Sequence, residues 1–477
     1  MASTRVRLSP ESAPGVDRGI GAVLADLDVT IDFPADLADA VDAAVARGSG
    51  PEHVDARDVP LVTIDPPTSL DLDQAFAAER RGVGFRVHYA IADVGWFVEP
   101  GDPVDRAARR RGVTIYAADR RAPLYPPKLS EAAASLLPDG DRPALLWRID
   151  VDETGEATSY DVRRALVRSR AKLSYAEVQQ MLDGGTASEP LRLLKEIGTL
   201  REERERARGG VHLPTPEQEV VAADDGWGLE LRCPLPVEDW NAQISLLTGL
   251  CAARLMIDAG VGLLRTLPAP EQHAVASLRR SARALDVDWP TDTPYPDWIR
   301  ALDVSDPRHG ALAVLATRLL RGAGYLAFVD GAPAEGLEHA AIAAPYAHVT
   351  APLRRLADRY ANSVVLAVCA GAEVDPAVRE ALPLLPGLMG GASQREHAVE
   401  RAVLDHVEAT VLAPRIGETF EGSVVELDRD GRSGVVQLRE PVVRARVDGA
   451  GLVLGEPITV TLVEADPVSR RVLFRPQ

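Results

Sequence analysis

The spacing of apolar and polar residues changes along the chain and divides it into a region with strand-like spacing and regions with mostly helix-like spacing. Between residue 58 and about residue 170, short apolar runs rich in β-branched residues predict strands at 59–64, 85–94 and 144–151. Outside that region, apolar residues recur mostly at three- and four-residue spacing, which is typical of amphipathic helices. The predicted helices are 35–47, 178–182, 191–208, 240–260, 271–285, 310–322, 352–371 and 393–412.

Local signals support several of these elements. Ser174 is followed three residues later by Glu177, a capping-box pattern that predicts a helix start. Pro352 suits the first turn of the helix predicted after it. The last ~60 residues contain short strands at 420–427, 433–438, 442–447 and 458–463, separated by Gly, Asp and Pro. The sequence therefore predicts an α+β protein, a mixed sheet with surrounding helices, followed by a small OB-fold β-barrel.

Composition narrows the class of protein. The 477 residues are 46% hydrophobic and 26% charged, as in ordinary globular chains. No uninterrupted run of about 18 apolar residues occurs, and no apolar core follows the first arginines, so neither a membrane span nor a secretory signal is expected. Three cysteines, Cys233, Cys251 and Cys369, lie far apart without CxxC spacing, which favours a cytoplasmic location.

The net charge of −18 at first argues against binding to a polyanion. Binding is local, however, and 50 of the 53 basic residues are arginines, the three lysines being Lys128, Lys172 and Lys195. Planar guanidinium groups suit bidentate contacts with phosphate. One group of clustered arginines is Arg106, Arg109, Arg110, Arg111, Arg120 and Arg121.

A group of carboxylates carries the strongest chemical signal. In the segment TIDPPTSLDLDQAF, residues 63–76, a strand delivers Asp65 and two prolines then force a turn. Asp71 and Asp73 point the same way if their segment is extended. Three converging carboxylates suit Mg²⁺ or Mn²⁺, which bind hard oxygen ligands. Taken alone, the aspartates are better explained as turn and cap formers, which are common near Pro and Ser.

Several segments together resemble the RNB family of ribonucleases. Segment 63–76 is similar to the first motif of that family. Further similarities follow in family order and cover roughly 58–412: YAIADV at 89–94, GVTIY at 112–116, PLYPPKLS at 123–130, AKLSY at 171–175, HVTAPLRRLAD at 348–358 and VER at 399–401. The tail from about residue 415 resembles the RNA-binding OB domain that follows RNB modules. The implied organisation is a lead-in at 1–57, an RNB-like catalytic domain at 58–412 and an OB-fold domain at 415–477.

The resemblance implies a hydrolytic, metal-dependent 3′-to-5′ exoribonuclease that degrades single-stranded RNA to nucleoside 5′-monophosphates with Mg²⁺ or Mn²⁺. The implied metal-site residues are Asp65, Asp71, Asp73 and Gln74. The implied catalytic residues are Asp71, Asp73 and Arg354. The implied RNA-binding residues are Tyr116, Tyr175, His212, Arg354, Arg355 and Glu400.

Two departures from the family pattern leave a second function open. Gln74 stands where the family usually has a fourth acid, and Gln243 stands where it usually has a glutamate. An amide oxygen brings no charge, so weaker affinity for one metal is expected. The alternative is a catalytically weakened RNA-binding protein on an RNB scaffold, and a third hypothesis is a nuclease of other polarity or one acting on DNA. No P-loop and no GxSxG elbow occur, so neither a nucleotide cofactor nor a serine hydrolase is indicated.

Overall fold

The computed structural model describes residues 14–118, 120–213, 217–223, 226–232, 234–303, 306–428 and 431–477. In these ranges the strands are β1 Val54–Asp55, β2 Thr63–Ile64, β3 Gln74–Arg81, β4 Gly84–Ala92, β5 Ile115–Tyr116, β6 Arg121–Ala122, β7 Asp141–Val151, β8 Ala157–Arg168, β9 Lys172–Leu173, β10 Glu217–Ala223, β11 Gly226–Arg232, β12 Gly262–Thr266, β13 Gly324–Phe328, β14 Glu338–His339, β15 Ala344–Pro345, β16 Thr419–Leu427, β17 Ser433–Leu438, β18 Arg444–Asp448, β19 Pro457–Asp466 and β20 Arg471–Pro476.

The helices in the same ranges are α1 Pro14–Asp26, α2 Leu37–Ala46, α3 Val94–Phe97, α4 Pro103–Arg111, α5 Tyr175–Asp183, α6 Glu189–Arg208, α7 Pro236–Ala259, α8 Gln272–Ala284, α9 Tyr295–Arg300, α10 Pro307–Ala316, α11 Leu356–Cys369, α12 Pro376–Ala381 and α13 Leu385–Leu412. Short π or 3₁₀ turns occur at Leu129–Ala133, Thr317–Leu320, Leu382–Leu384 and Ala413–Arg415.

A five-stranded sheet forms the centre of the larger domain, in the order β1-β8-β7-β4-β3. The last four strands pair antiparallel, and β1, from the predicted lead-in, joins β8 in parallel. Arg81 pairs with Gly84, which leaves a two-residue turn whose first residue, Gly82, has φ +60. Helix α6 packs on β3 and α11 on β8, so most of the sheet is buried.

Helix α7 is the central helix of this domain. By length and composition alone it could cross a membrane, with a mean hydropathy of 1.2 in its most apolar window. Half of that window is buried inside the protein, where α7 packs against α6 and α11. We therefore interpret its apolar character as that of a core helix.

The C-terminal strands close into a barrel in the order β16-β17-β18-β20-β19. Phe420 and Phe474 meet edge to face in its interior, with ring centroids 5.7 Å apart. Both rings are buried, so Phe420 is a core residue of the barrel. Helix α13 packs on β19 and β20, and α10 on β16. The predicted α+β domain followed by an OB-type barrel is confirmed.

One predicted helix begins later than its sequence pattern indicated. The helix expected at 352 begins at Leu356, as α11. The preceding residues instead pair with the segment before β5, because Thr114 N donates to Arg354 O and Leu356 N to Gly112 O, both at 2.9 Å. These long-range backbone bonds hold Arg355 in an extended conformation, with φ −133 and ψ 126. Cys233, one of the three cysteines, lies outside the described residues.

Candidate active site

Strand β2 brings Asp65 to the site. β2 pairs in parallel with β9, and Asp65 N continues this ladder by donating to Leu173 O at 3.0 Å. The two prolines then end the strand, and Ser69 N donates back to Pro66 O at 3.0 Å to close a turn. The turn therefore leads from Asp65 into the segment that carries the other two aspartates.

Two side chains clamp this turn. Lys172 Nζ donates to Pro67 O at 2.7 Å and to Ser69 O at 2.6 Å. Ser135 Oγ donates to Leu70 O at 2.6 Å and accepts from Leu72 N at 3.0 Å. The backbone between Asp65 and Asp73 is thereby fixed from both sides, a role that the sequence pattern indicated for neither residue.

Asp73 is joined to the segment before α11. Its carboxylate is 2% exposed and accepts from Leu353 N at 2.7 Å and from Arg354 Nε at 2.7 Å. In the part of the chain that the structure describes, the two Nη atoms of Arg354 have no hydrogen-bond partner, and the side chain is one third exposed. Arg354 therefore uses one nitrogen to hold Asp73 and presents the other two outward.

Asp71 is held by two donors. Tyr116 donates its hydroxyl to Asp71 Oδ2 at 2.9 Å, and Arg121 Nη1 donates to Oδ1 at 3.1 Å. Arg121 also pairs with Glu131 at 2.8 Å. The Tyr116 residue remains 46% exposed, so this hydroxyl is anchored while part of the residue stays accessible. The structure thus places one predicted RNA-binding residue in direct contact with one predicted metal ligand.

Burial sets the electrostatics of the aspartates. Desolvation raises the pKa of Asp73 to about 7, although the positive charge of Arg354 opposes the shift. Desolvation likewise raises the pKa of Asp65 to about 6, opposed by Arg354 and reinforced by Asp71. Burial would lower the pKa of Arg354, but the charges of Asp73 and Asp71 and the hydrogen bond to Asp73 raise it well above its usual value, so Arg354 stays protonated.

The aspartates do not form a complete metal cage by themselves. Within the described ranges, no group of three or more His, Cys, Asp or Glu is placed to hold a metal ion, contrary to the expected convergence. Asp71 and Asp73 are instead hydrogen-bonded to Tyr116, Arg121 and Arg354. The donor chemistry nevertheless fits Mg²⁺ or Mn²⁺, because such ions often bind one or two carboxylates and complete their shell with waters and substrate phosphate.

The hydrogen bonds of Gln74 do not fit its predicted role as a metal ligand. Its Nε2 donates to Thr350 O at 2.6 Å. Its Oε1 accepts from the Tyr89 hydroxyl at 2.5 Å and from Ser245 Oγ at 3.4 Å. Both ends of the amide are thus engaged within the protein.

Of two further predicted RNA-binding residues, Tyr175 interacts with one of the aspartates, whereas Arg355 is paired with a different carboxylate. Tyr175 is the first residue of α5, directly after Ser174, whose predicted capping box with Glu177 is present. Its side chain bonds to Asn241, and it interacts electrostatically with Asp65. Arg355 instead forms a bidentate pair with the buried Asp358, with both bonds 2.9 Å long.

The other predicted residues lie on different elements. His212 is exposed and interacts electrostatically with Asp239. Glu400 is half-buried on α13. Gln243 faces α6, where its Nε2 donates to Glu205. In the part of the chain that the structure describes, hydrogen bonds join Asp71 to Tyr116 and Asp73 to Arg354, so the site itself is centred on these four residues and Asp65.

The fold and site together define a protein class: a mixed α/β domain with an aspartate–arginine centre, followed by a closed five-stranded barrel. The sequence profile of the RNB domain matches residues 53–371, and that of the RNase II-type exonuclease C-terminal S1 domain matches residues 418–477. The chain belongs to the RNB family, which confirms the resemblance seen in its motifs.

Curated relatives extend over much of the chain. The sequence is 27% identical to Ribonuclease R of Aquifex aeolicus (strain VF5) over 463 residues, which covers 88% of this chain and 64% of that protein. It is 31% identical to Ribonuclease R of Escherichia coli (strain K12) over 321 residues, which covers 64% of this chain and 39% of that protein. The chain therefore spans less than two thirds of these relatives.

Solved structures share the fold. The apo form of Mycoplasma genitalium RNase R matches with a TM-score of 0.85 at 19% identity, covering 97% of this chain and 78% of that chain. Yeast Ssd1, described as a pseudonuclease, matches with a TM-score of 0.67 at 17% identity, covering 95% of this chain and 58% of that chain. At these identities the likeness establishes the architecture alone.

Proposed function

We propose that this protein is a hydrolytic 3′-to-5′ exoribonuclease that acts on single-stranded RNA in the cytoplasm and releases nucleoside 5′-monophosphates. The observation that carries the proposal is the Asp73–Arg354 pair, in which a buried carboxylate orients a guanidinium that keeps two nitrogens for another ligand. The names of the two Ribonuclease R relatives support the same reaction. Within the described residues, Cys251 and Cys369 form no disulfide, which supports a reducing compartment.

Arg354 binds and orients the scissile phosphate in this proposal. A guanidinium presents paired N–H donors that match two phosphate oxygens. Asp73 holds the guanidinium through Nε, so the two Nη atoms are already oriented before RNA binds. Little side-chain freedom of Arg354 is therefore lost when the phosphate binds. The same donors stabilise negative charge that develops on the phosphate during hydrolysis.

Tyr116 positions the end of the RNA. Its hydroxyl is fixed by Asp71, so the ring has a defined orientation, and the residue is 46% exposed. Base stacking on an aromatic ring contributes ~1–3 kcal/mol per base and is tolerant of sequence. Such a contact suits an enzyme that removes nucleotides one after another regardless of base.

Asp65, Asp71 and Asp73 would hold the divalent ion, Mg²⁺ or Mn²⁺. When bound, such an ion activates water and stabilises the leaving oxygen of a phosphodiester. Asp65 is suited to this role because its carboxylate has no hydrogen-bond donor in the described structure and its pKa of about 6 leaves it mostly ionised at neutral pH. Asp71 and Asp73 each keep acceptor capacity beyond the bonds that they make.

A labelled-RNA assay tests this function. The protein is incubated with Mg²⁺ and an oligoribonucleotide labelled at the 5′ end, and in parallel with one labelled at the 3′ end. We expect a descending ladder from the first, a labelled mononucleoside 5′-monophosphate from the second, and no product after chelation by EDTA. Asp73→Asn should lose the activity, whereas Asp258→Asn, which changes an exposed aspartate on α7, should retain it.

A weakened, RNA-binding protein remains the second candidate, because Gln74 and Gln243 replace acids of the family pattern and both face protein groups. The same assay separates the two functions. Tight RNA binding without product at any Mg²⁺ or Mn²⁺ concentration would establish the binding protein and overturn the nuclease. A DNA oligonucleotide in the same assay tests selection for the ribose 2′-hydroxyl, and equal cleavage of DNA would remove the restriction to RNA.

A further inference from the structure

Gln74 lies between two parts of the chain that meet at the active site. It is the first residue of β3 and directly follows Asp73. Its amide joins the Thr350 carbonyl on one side and the Tyr89 hydroxyl on the other. Thr350 is 3% exposed and Tyr89 1% exposed, so both contacts are shielded from water.

The orientation of this amide follows from chemistry. A backbone carbonyl only accepts hydrogen bonds, so the nitrogen of Gln74 must face Thr350 O. The oxygen then faces Tyr89 and Ser245, whose hydroxyls can both donate. An ionised carboxylate at this position could not donate to Thr350, and it would bring negative charge against a carbonyl oxygen.

Thr350 opens the segment that carries Arg354. Thr350, whose carbonyl is held by Gln74, lies four positions before Arg354, whose guanidinium is held by Asp73, and Leu353 N also donates to Asp73. Neighbouring residues 73 and 74 therefore hold the two ends of segment 350–354. Because a misplacement of ~1 Å near reacting groups can cost ~100-fold in rate, fixing this segment matters for Arg354.

We propose that Gln74 is a positioning residue for Arg354, acting through its amide donor to the Thr350 carbonyl, and is not a ligand of the metal. The proposal rests on the proposed function for its kinetic consequence. The glutamine that replaces the family's fourth acid thereby has a role specific to this chain, because its amide connects β3, β4 and α7 to the segment before α11. The oxygen that a metal would need is already used by Tyr89 and Ser245.

Hydrogen–deuterium exchange of the full chain tests the structural part without activity. Gln74→Met keeps the size of the side chain but removes the donor, and Gln180→Met is the matched change at an exposed position on α5. We expect faster exchange of peptides covering 349–357 in Gln74→Met alone. Unchanged exchange there would overturn the proposal. If Gln74→Met does not fold, Gln74→Asn, one methylene too short for the same reach, takes its place with the same expectation.

Kinetics in two backgrounds test the positioning part. We expect Gln74→Met to lower kcat ~10- to 100-fold with a smaller change in KM, and to have less than a ~3-fold effect once Arg354→Lys is present, since coupled residues are not additive. An equal loss in both backgrounds would show that Gln74 acts independently of Arg354. Gln74→Asp separates the two roles. A lower Mg²⁺ concentration for half-maximal activity would support a metal site at residue 74 and refute the proposal, whereas a loss of activity would support it. An inactive wild type would refute the proposed function, while exchange still decides the role of Gln74.

Discussion

Lys172 provides the sharpest test of how the aspartates are positioned. It is one of three lysines in the chain, and its Nζ donates to the carbonyls of Pro67 and Ser69 at 2.7 and 2.6 Å. These carbonyls lie in the turn between Asp65 and Asp71. Replacement by methionine keeps the unbranched apolar part of the side chain and removes the ammonium group that donates both bonds. We therefore expect Lys172→Met to release the first half of this turn.

The structure sets the size of the effect. Hydrogen bonds from a charged donor contribute ~1.5–3 kcal/mol each, which gives ~3–6 kcal/mol for two as an upper bound. Pro67 is exposed and Ser69 half-buried, so water replaces much of what Lys172 supplies. We expect a loss of about 1–3 kcal/mol in the free energy of unfolding. Because Ser135 still holds Leu70 and Leu72, the turn should loosen without unfolding, and kcat/KM should fall ~10- to 100-fold.

Urea denaturation and the labelled-RNA assay measure these two quantities. Lys128→Met is the matched control, because Lys128 is an exposed lysine that forms a surface ion pair with Asp42. Lys172→Arg should recover part of the activity, since it retains charged donors. Wild-type kcat/KM in Lys172→Met would refute the idea that this clamp positions the aspartates, and a large loss in Lys128→Met would show that the assay responds to lysine removal in general.

Three further outcomes follow from the geometry. Arg355→Met should lower the free energy of unfolding by ~3–5 kcal/mol in urea titrations, because it leaves the fully buried Asp358 without its bidentate partner. A change below ~1 kcal/mol would show that the pair contributes little to stability. Tyr116→Ala should weaken RNA binding by ~1–3 kcal/mol per stacked base, measured by anisotropy, whereas Tyr116→Phe should bind nearly as well; equal losses would refute stacking. Burial, assisted by the charge of Arg265, lowers the pKa of His339 to about 4 in the folded state. The unfolded chain therefore binds more protons than the folded protein, and the free energy of unfolding should fall as the pH drops from about 6.5 to 4. His339→Gln should reduce this dependence on pH, and an unchanged dependence would exclude His339 as its source.

Much of the local structure was predictable because its causes are local. The capping box at Ser174 and Glu177 starts α5 as expected, since both partners lie within one turn. The tail strands alternate on a two-residue period between turn residues, and they form the predicted barrel. The last strand, Arg471–Pro476, was not predicted, and the helix expected at Pro352 begins at Leu356. There, backbone bonds to residues 112 and 114 outweigh the local preference.

The sequence by itself determined the family to which the chain belongs, because ordered motifs survive as residue types at fixed spacing, and it predicts which residues carry the chemistry. Only the tertiary structure decided how those residues pair. Asp73 meets Arg354 across 281 positions, Asp71 meets Tyr116 across 45, and Gln74 turns to Thr350 across 276. Spacing along the chain restricts neighbours within a turn or a strand, whereas contacts at such separations depend on how the sheet, helices and loops pack together in three dimensions.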